Sequence, residues 1–325
     1  MSSGDFPGIK TYKYFLQLHL LDFLEALQMT ERKRATSLPE LFEKMKYFRK
    51  NDGEACALAY QPNPTDIFVV TPPKCGTTWT QQIVHGLRTR GSMDFDEITR
   101  AIPWIEMAKD MGIDIYAPQA ADPRAFKTHL NLDVLPKGGK YISVVRDPKD
   151  AMLSHYRFFE GWLFEKGSIS IEEFALKFYV EGRGGRSYWK HVLALWDRRK
   201  DKDVLPLCYE NMKHDLSGTV ERIAEFMEIK LDDELKGIVV MQSDIKFMAE
   251  HNHKFDDHIV RDIRNAVCNI PPDGATSKVK NGNIGESRTL VPMEIMDEFD
   301  KIWQEEITTK IGLNSYEELR KELVN

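Results

Sequence analysis

Ile67-Phe68-Val69-Val70-Thr71-Pro72-Pro73-Lys74-Cys75-Gly76-Thr77-Thr78-Trp79 is the stretch on which the fold turns. Its opening residues are β-branched and aromatic without polar alternation, which suits a central strand covered on both faces. A helical pattern runs from Thr77 to about Arg88. A strand, a short turn and a helix in that order offer backbone N–H groups and the positive end of a helix dipole to an anion. Gly76 lets the backbone come close, Lys74 adds a point charge, and Thr77 and Thr78 add hydroxyl donors. The Walker pattern GxxxxGK[ST] is absent, because the lysine precedes the glycine and the loop is shorter. A nucleotide phosphate is therefore expected here, while magnesium-dependent NTP hydrolysis is not. A Gly- and Thr-containing turn also arises as ordinary turn chemistry, so the loop needs company to carry a function.

Outward from that loop the same alternation repeats. Tyr141 to Val145 reads as a second strand, followed by Arg146-Asp147-Pro148 and a helix to about Phe159. Val204 to Tyr209 reads as a third strand, followed by a helix around Thr219 to Met227. Ser37-Leu38-Pro39-Glu40 has the form of a capping box, and Ser170, Ser187 and Ser315 open further helices. Residues 13–28 form an amphipathic pattern with Phe15, Leu18, Leu21 and Leu24 on one side. Residues 250–292 are polar, punctuated by Gly and Pro, and read as long loops. Alternating strands and helices imply βαβ units, hence an α/β fold with a central, mostly parallel sheet flanked by helices. One domain over 1–325 is expected, with a core of about 45–290, N-terminal helices in 13–50 and C-terminal helices in 292–325. Ligands on such sheets bind beyond the carboxyl ends of the strands, where every motif named below falls.

Composition narrows the partners. Lys plus Arg is 45 and Asp plus Glu is 51 in 325 residues, so the net charge is 45 − 51 = −6. That speaks against coating nucleic acid or an anionic membrane, though a local basic pocket is compatible with it. Cys56, Cys75, Cys208 and Cys268 form no CxxC pair, so neither a zinc site nor a disulfide framework is expected. No apolar run approaches the ~18 residues of a membrane span, and the N-terminus carries no signal-peptide core. A cytoplasmic protein with no membrane or nucleic-acid partner and no metal is the expectation.

Four ordered segments resemble the cytosolic sulfotransferases. TPPKCGTTW resembles the family loop TYPKSGTTW that holds the 5′-phosphosulfate of the donor PAPS (3′-phosphoadenylyl sulfate), with Pro72 for Tyr and Cys75 for Ser. Lys127-Thr128-His129-Leu130 resembles the catalytic segment KTHLP, with Leu135-Pro136 following. YISVVRDPKDAMLSHYRF, from Tyr141 to Phe158, resembles YVARNPKDVAVSYYHF, and LPLCYENMK, from Leu205 to Lys213, resembles LFLFYEDMK. The resemblance covers about 45 to 250 and implies a fold similar to P-loop NTPases and sulfuryl transfer from PAPS to a small acceptor, releasing PAP (adenosine 3′,5′-bisphosphate).

The resemblance also implies roles. His129 would be the base, taking a proton from an acceptor hydroxyl or amine, a contribution of ~10²–10⁴ in rate. Lys74 and Lys127 would neutralise the sulfuryl oxygens and the leaving phosphate. Arg146 and Ser154 would hold the donor's 3′-phosphate, Arg through bidentate charge-assisted bonds, and Ser154 would also influence the leaving phosphate. Cys75, Gly76, Thr77 and Thr78 would cradle the 5′ end. Trp79, Tyr209, Ser243 and Ile245 would contact the adenine, Ile245 standing where an aromatic is usual. The family signature RKGxxGDWK aligns with Lys280-Asn281-Gly282-Asn283-Ile284-Gly285-Glu286-Ser287-Arg288, so Lys280, Asn281 and Gly282 would face the 3′-phosphate. Its second cation has become Asn281, with Arg288 and Lys278 the nearest substitutes.

For the acceptor, the resemblance points to Trp104 and Ile105, to Lys127 and His129, and to His155, Tyr156 and Phe158, with Trp162 and Phe164 beyond them. Glu106, Asp110, Glu250, Asp256 and Asp257 scatter acids over the same loops, so hydroxyl and amine acceptors both stay open. Subunit number also stays open between monomer and homodimer, since RTLVPME carries no recognisable dimer motif. Two other readings share the fold: a P-loop nucleotide kinase, which would need a lysine after Gly76, and an inactive PAP-binding protein, which would be expected to lack His129 or Lys127.

Overall fold

The computed structural model describes residues 32–48, 51–181, 187–274, 278 and 282–323. The helix expected at 13–28 and the phosphate contacts expected of Lys280 and Asn281 lie outside the described residues.

Four short strands form the sheet: β1 Ile67–Val70, β2 Ala125–Thr128, β3 Lys140–Val145 and β4 Val204–Cys208. Their order is β2-β1-β3-β4 and every pairing is parallel. All of β1 is buried, as its unbroken apolar sequence requires. β2 was not read as a strand from sequence, because four residues with Lys127 in third place carry no strand pattern of their own. Tertiary pairing with β1 decides it.

Register brings the motifs together. Val70 pairs with Thr128 and Val145 with Cys208. The next rung therefore places Thr71 beside His129, and Arg146 beside Tyr209. The chain winds from β1 outward to β2 and then back across to β3, so the crevice above β1 is the reversal point where open α/β sheets bind ligands.

The helix Thr77–Thr89 follows the loop after β1, with Gly76 at its N-cap in the left-handed region at φ 99°. Pro148–Phe159 follows β3 and is capped by Asp147, whose carboxylate accepts from the Lys149 N–H. Ser170, Ser187 and Ser315 all act as N-caps through their hydroxyls. Ser37 does not cap Leu38–Met45 through its side chain; Glu40 instead accepts from the Thr36 N–H at 2.7 Å and its hydroxyl at 3.0 Å. The box is thus shifted by one residue. The stretch 250–292 is not all loop: His258–Val267 is a helix that buries Ile259, Val260, Arg264 and Asn265. Two of those four are polar, which hid its inner face from a hydrophobic pattern. Among the described residues no helix is long and apolar enough to cross a membrane.

Candidate active site

A cavity of about 590 Å³ opens over the carboxyl ends of the strands. Of the residues singled out in the sequence, Lys74, Gly76, Thr77, Thr78, Trp79, Arg146, Ser154, Tyr209, Ser243, Ile245 and Gly282 line this cavity, and so do Trp104, Lys127, His129, His155 and Phe158. Cys75 does not. Its side chain is fully buried, its sulfur lies 3.9 Å from the Pro73 carbonyl, and burial pushes the thiol pKa up. Its N–H is already used by the Pro72 carbonyl at 3.3 Å. The loop reverses sharply at that residue, so its neighbours face the cavity while it faces the core. Ile105, Tyr156 and Phe164 also point away from the cavity, into the core.

The turn is built from two left-handed residues, Lys74 at φ 70° and Gly76 at φ 99°. A Cβ on Gly76 would stand 3.0 Å from the Tyr209 ring, so glycine is required both for the conformation and for the close approach. The Lys74 ammonium lies 3.9 Å from the centre of the Phe158 ring.

Arg146 is the pivot of the donor side. Its guanidinium donates to the Lys74 carbonyl at 3.4 Å and the Asn283 carbonyl at 3.0 Å, and lies 4.4 Å over the Tyr209 ring. Among the described residues its Nε is buried without a hydrogen-bond partner, as is the Ser243 hydroxyl on the same cavity. Buried polar atoms of this kind are rare unless a ligand meets them. Tyr188 and Asp150 fix the surroundings. The Tyr188 hydroxyl donates to the Arg146 carbonyl at 2.6 Å, and the Asp150 carboxylate accepts from Gly285 N–H at 2.6 Å and Ser287 N–H at 3.0 Å. Trp79 donates through its indole N–H to the Ser243 carbonyl at 2.8 Å and meets Tyr209 edge-on at 5.4 Å.

Of the two cations named as substitutes for the lost second cation, Lys278 lines the cavity and Arg288 does not. Lys278 pairs with Asp257, and Arg288 is exposed. Lys213 and Arg157 also line the cavity. Lys213 donates to the Gly282 carbonyl, and Arg157 pairs with Glu286. Their contacts run to Gly282 and Glu286, 69 and 129 residues away, which sequence spacing does not reveal.

His129 sits at the end of β2. Its Nδ1 lies 2.8 Å from the Thr71 carbonyl, and a carbonyl can only accept, so Nδ1 carries the proton and the neutral ring has its lone pair on Nε2. Its backbone N–H donates to Glu106 at 2.8 Å, and His191 lies 3.1 Å from its carbonyl oxygen. Trp104 packs edge-on against the ring at 5.1 Å. Trp104 is placed by backbone pairing with β2, Ile105 N–H donating to the Lys127 carbonyl at 3.0 Å. Lys127, with its side chain 2% exposed, turns its ammonium toward Thr99 at 3.1 Å and Asp257 at 3.4 Å.

The far wall is apolar. Leu153, Phe159, Trp162 and Phe178 line it, together with Phe42, Met45 and Phe48 from the N-terminal strap. The sequence marked that strap as a helix but not as a wall. Arg34 pins it, donating to the Gly161 carbonyl at 2.8 Å, and Ala35 pairs with Phe164. Among the described residues no three His, Cys, Asp or Glu side chains are grouped to hold a metal ion.

Comparison with known proteins gives a consistent picture. Residues 64–312 match the family model described as sulfotransferase domain. An amine sulfotransferase of Oryctolagus cuniculus is 29% identical over 255 residues, covering 74% of this chain and 80% of its own. Sulfotransferase 4A1 of Homo sapiens is 28% identical over 254 residues, covering 75% and 81%. Retinol dehydratase in complex with androsterone and the inactive cofactor PAP superposes with a TM-score of 0.65 at 20% identity, over 82% of this chain and 87% of its own. Mouse sulfotransferase SULT7A1 complexed with PAP gives 0.58 at 21% identity, over 81% and 91%. At these identities the two structures speak to the fold.

Proposed function

The chain belongs to the sulfotransferase domain family, and on that footing we propose that its cavity binds PAPS on the Arg146 side and a small hydroxyl- or amine-bearing acceptor on the aromatic side. The observation that supports this most is the convergence of Lys74, Lys127, His129 and Arg146 on one cavity from three separate segments, the ends of β1, β2 and β3. The donor fits the residues present. Two buried polar atoms, Arg146 Nε and Ser243 Oγ, lack partners there among the described residues. A glycine turn and the N-terminus of Thr77–Thr89 offer backbone N–H groups to the 5′ end.

Bound there, PAPS supplies the sulfuryl group and departs as PAP. The protein's part is positioning and charge. Nε2 of His129 takes the acceptor proton, and the Nδ1–H bond to Thr71 keeps the tautomer and ring plane fixed. Lys74 and Lys127 offset the negative charge on the sulfuryl and leaving-group oxygens, while Arg146 grips the 3′-phosphate with Ser154 beside it on the next helix. Lys213 and Gly282 close that end. The acceptor body rests on Phe42, Phe48, Phe158 and Trp162, which suit an apolar, ring-containing molecule. A cytoplasmic setting is supported by the four cysteines, Cys56, Cys75, Cys208 and Cys268, which form no disulfide among the described residues.

His129→Ala tests the reading. Turnover of sulfate-labelled PAPS with phenol, sterol, alcohol and amine acceptors is expected to fall by about 10²–10⁴, while PAP still binds. Unchanged turnover removes His129 as the base.

A further inference from the structure

Asp257 stands just before the helix His258–Val267, where an aspartate ordinarily turns its carboxylate onto the helix's own N–H groups. Here it makes no such cap, and its backbone takes the left-handed region at φ 57° and ψ 31°, which aspartate tolerates better than most residues. The capping preference is given up. What is gained lies inward. The carboxylate is 6% exposed, and its Oδ1 accepts from the Thr99 hydroxyl at 3.0 Å and lies 3.4 Å from the Lys127 ammonium. Its Oδ2 pairs with the Lys278 ammonium, itself 11% exposed. Thr99 gives Lys127 a second oxygen at 3.1 Å, and Glu97 holds Thr99 by accepting its N–H at 3.1 Å.

Among the described residues four carboxylates line the cavity, and three of them are engaged by groups other than Lys127 and Lys278. Asp150 takes the Gly285 and Ser287 N–H groups, Asp244 caps a helix through Lys246 N–H, and Glu286 pairs with Arg157. Asp257 is the one of the four that pairs with both Lys127 and Lys278 among the described residues. Lys278 also lies 6.0 Å from the centre of the Phe158 ring, on which Lys74 rests at 3.9 Å. The three ammonium groups thus border one patch of the cavity, between Trp104 and Phe158.

We propose that Asp257 is a positioning residue whose two carboxylate oxygens hold the ammonium groups of Lys127 and Lys278 side by side, so that Lys278 joins Lys127 in facing the transferring sulfuryl group. This rests on the sulfuryl-transfer reading given above. The physical need is plain. A lysine ammonium on a four-carbon stem is a mobile point charge, and burial disfavours its charged form. A carboxylate between two of them fixes the direction of both and offsets part of the cost of burying their charge. Burial pushes the Lys278 ammonium down to about 8, and Asp257 is the strongest influence opposing that fall. Against the upward push of its own burial, Lys127 and then Lys278 hold the Asp257 carboxyl far below the usual carboxylate range.

The test uses Asp257→Asn, the charge-balanced pair Asp257→Asn with Lys278→Gln, and Asp257→Glu. The first reading is acceptor-free: acetic anhydride labelling of the full chain across neutral to alkaline pH, with Lys127 and Lys278 followed by mass spectrometry. In Asp257→Asn the apparent pKa of Lys278 should drop by about one unit or more, and labelling of both lysines should rise. The second reading is kinetic, with labelled PAPS and 2-naphthol as probe. The first two variants should lose about tenfold or more in kcat, with KM for PAPS and PAP affinity held within about twofold, because Arg146 and the glycine turn grip the nucleotide without Asp257. Asp257→Glu should recover part of kcat. Lysine reactivity unchanged in Asp257→Asn overturns the proposal, as does native kcat in the charge-balanced pair. Failure of the underlying reading shows differently, as native protein that binds AMP as tightly as PAP.

Discussion

The donor side and the acceptor side of the cavity are built by opposite means. The proposed donor side joins a backbone turn to one charged side chain: a left-handed glycine, a helix N-terminus and the strand ends of β3 and β4, gathered around the guanidinium of Arg146. The acceptor side is side chain: aromatic rings from four separate segments and a buried knot of Glu97, Thr99, Lys127, Asp257 and Lys278. A backbone cradle is rigid and indifferent to most substitutions. A side-chain knot depends on every member keeping its partner. Specificity for the nucleotide is therefore expected to be robust and choice of acceptor easily altered.

Arg146→Ala should break the donor side most severely. A guanidinium bonded to phosphate is worth about 1.5–3 kcal/mol, so PAP affinity should fall roughly 10–100-fold. AMP, which lacks the 3′-phosphate, should bind about as before. The measurement is a pair of tryptophan-fluorescence titrations, since Trp79 lines the site. Equal losses for both nucleotides would move Arg146 to a purely structural role.

The acceptor-side knot should announce itself through pH. Burial first, and then Asp257, push the Glu97 carboxyl up to about 7. A folded-state value above the unfolded 4.5 means that the folded protein keeps a proton the unfolded chain has lost. That contribution is complete below about 4.5 and disappears as pH rises through 7. Asp257 works oppositely and lower: its stabilisation holds above its unfolded value of 3.8 and is lost on acidification. Glu97→Gln should therefore flatten the stability profile between about pH 5 and 7, a change of up to about 1 kcal/mol per pH unit, and leave the acid limb intact. Urea midpoints at several pH values check it, and a variant profile parallel to the native one would contradict it.

Legibility in the sequence follows the same division. The loop after β1, the caps at Ser170, Ser187 and Ser315, and three of the four strands were readable because each is written in neighbouring residues. His129 and Lys127 were readable through resemblance. Asp257 was visible only as one acid among several, since its partners Thr99 and Lys127 lie 158 and 130 residues away. Lys278 was assigned to the phosphate end for the same reason: its position suggested a neighbour of Lys280, while its partner is Asp257. The helix His258–Val267 that follows Asp257 turns buried Arg264 and Asn265 inward, so the usual signal for a covered face was missing.

Cys75 offers the smallest and sharpest test of the backbone claim. The resemblance put it among the donor-binding residues, whereas its thiol is in the core with a weak contact to the Pro73 carbonyl. If the cradle is backbone alone, Cys75→Ser should leave PAP affinity within about twofold, because no atom facing the nucleotide changes. The cost should appear in stability, since burying a hydroxyl that is not fully hydrogen-bonded costs ~1–3 kcal/mol. The Pro73 carbonyl, already near the sulfur, gives the new hydroxyl an acceptor and keeps the loss toward the lower end. A thermal shift of a few degrees with an unchanged PAP titration is the expected pair of results. A variant as stable as the native protein but weaker for PAP would show that position 75 faces the nucleotide after all, and that the donor side, like the acceptor side, is held by side chains.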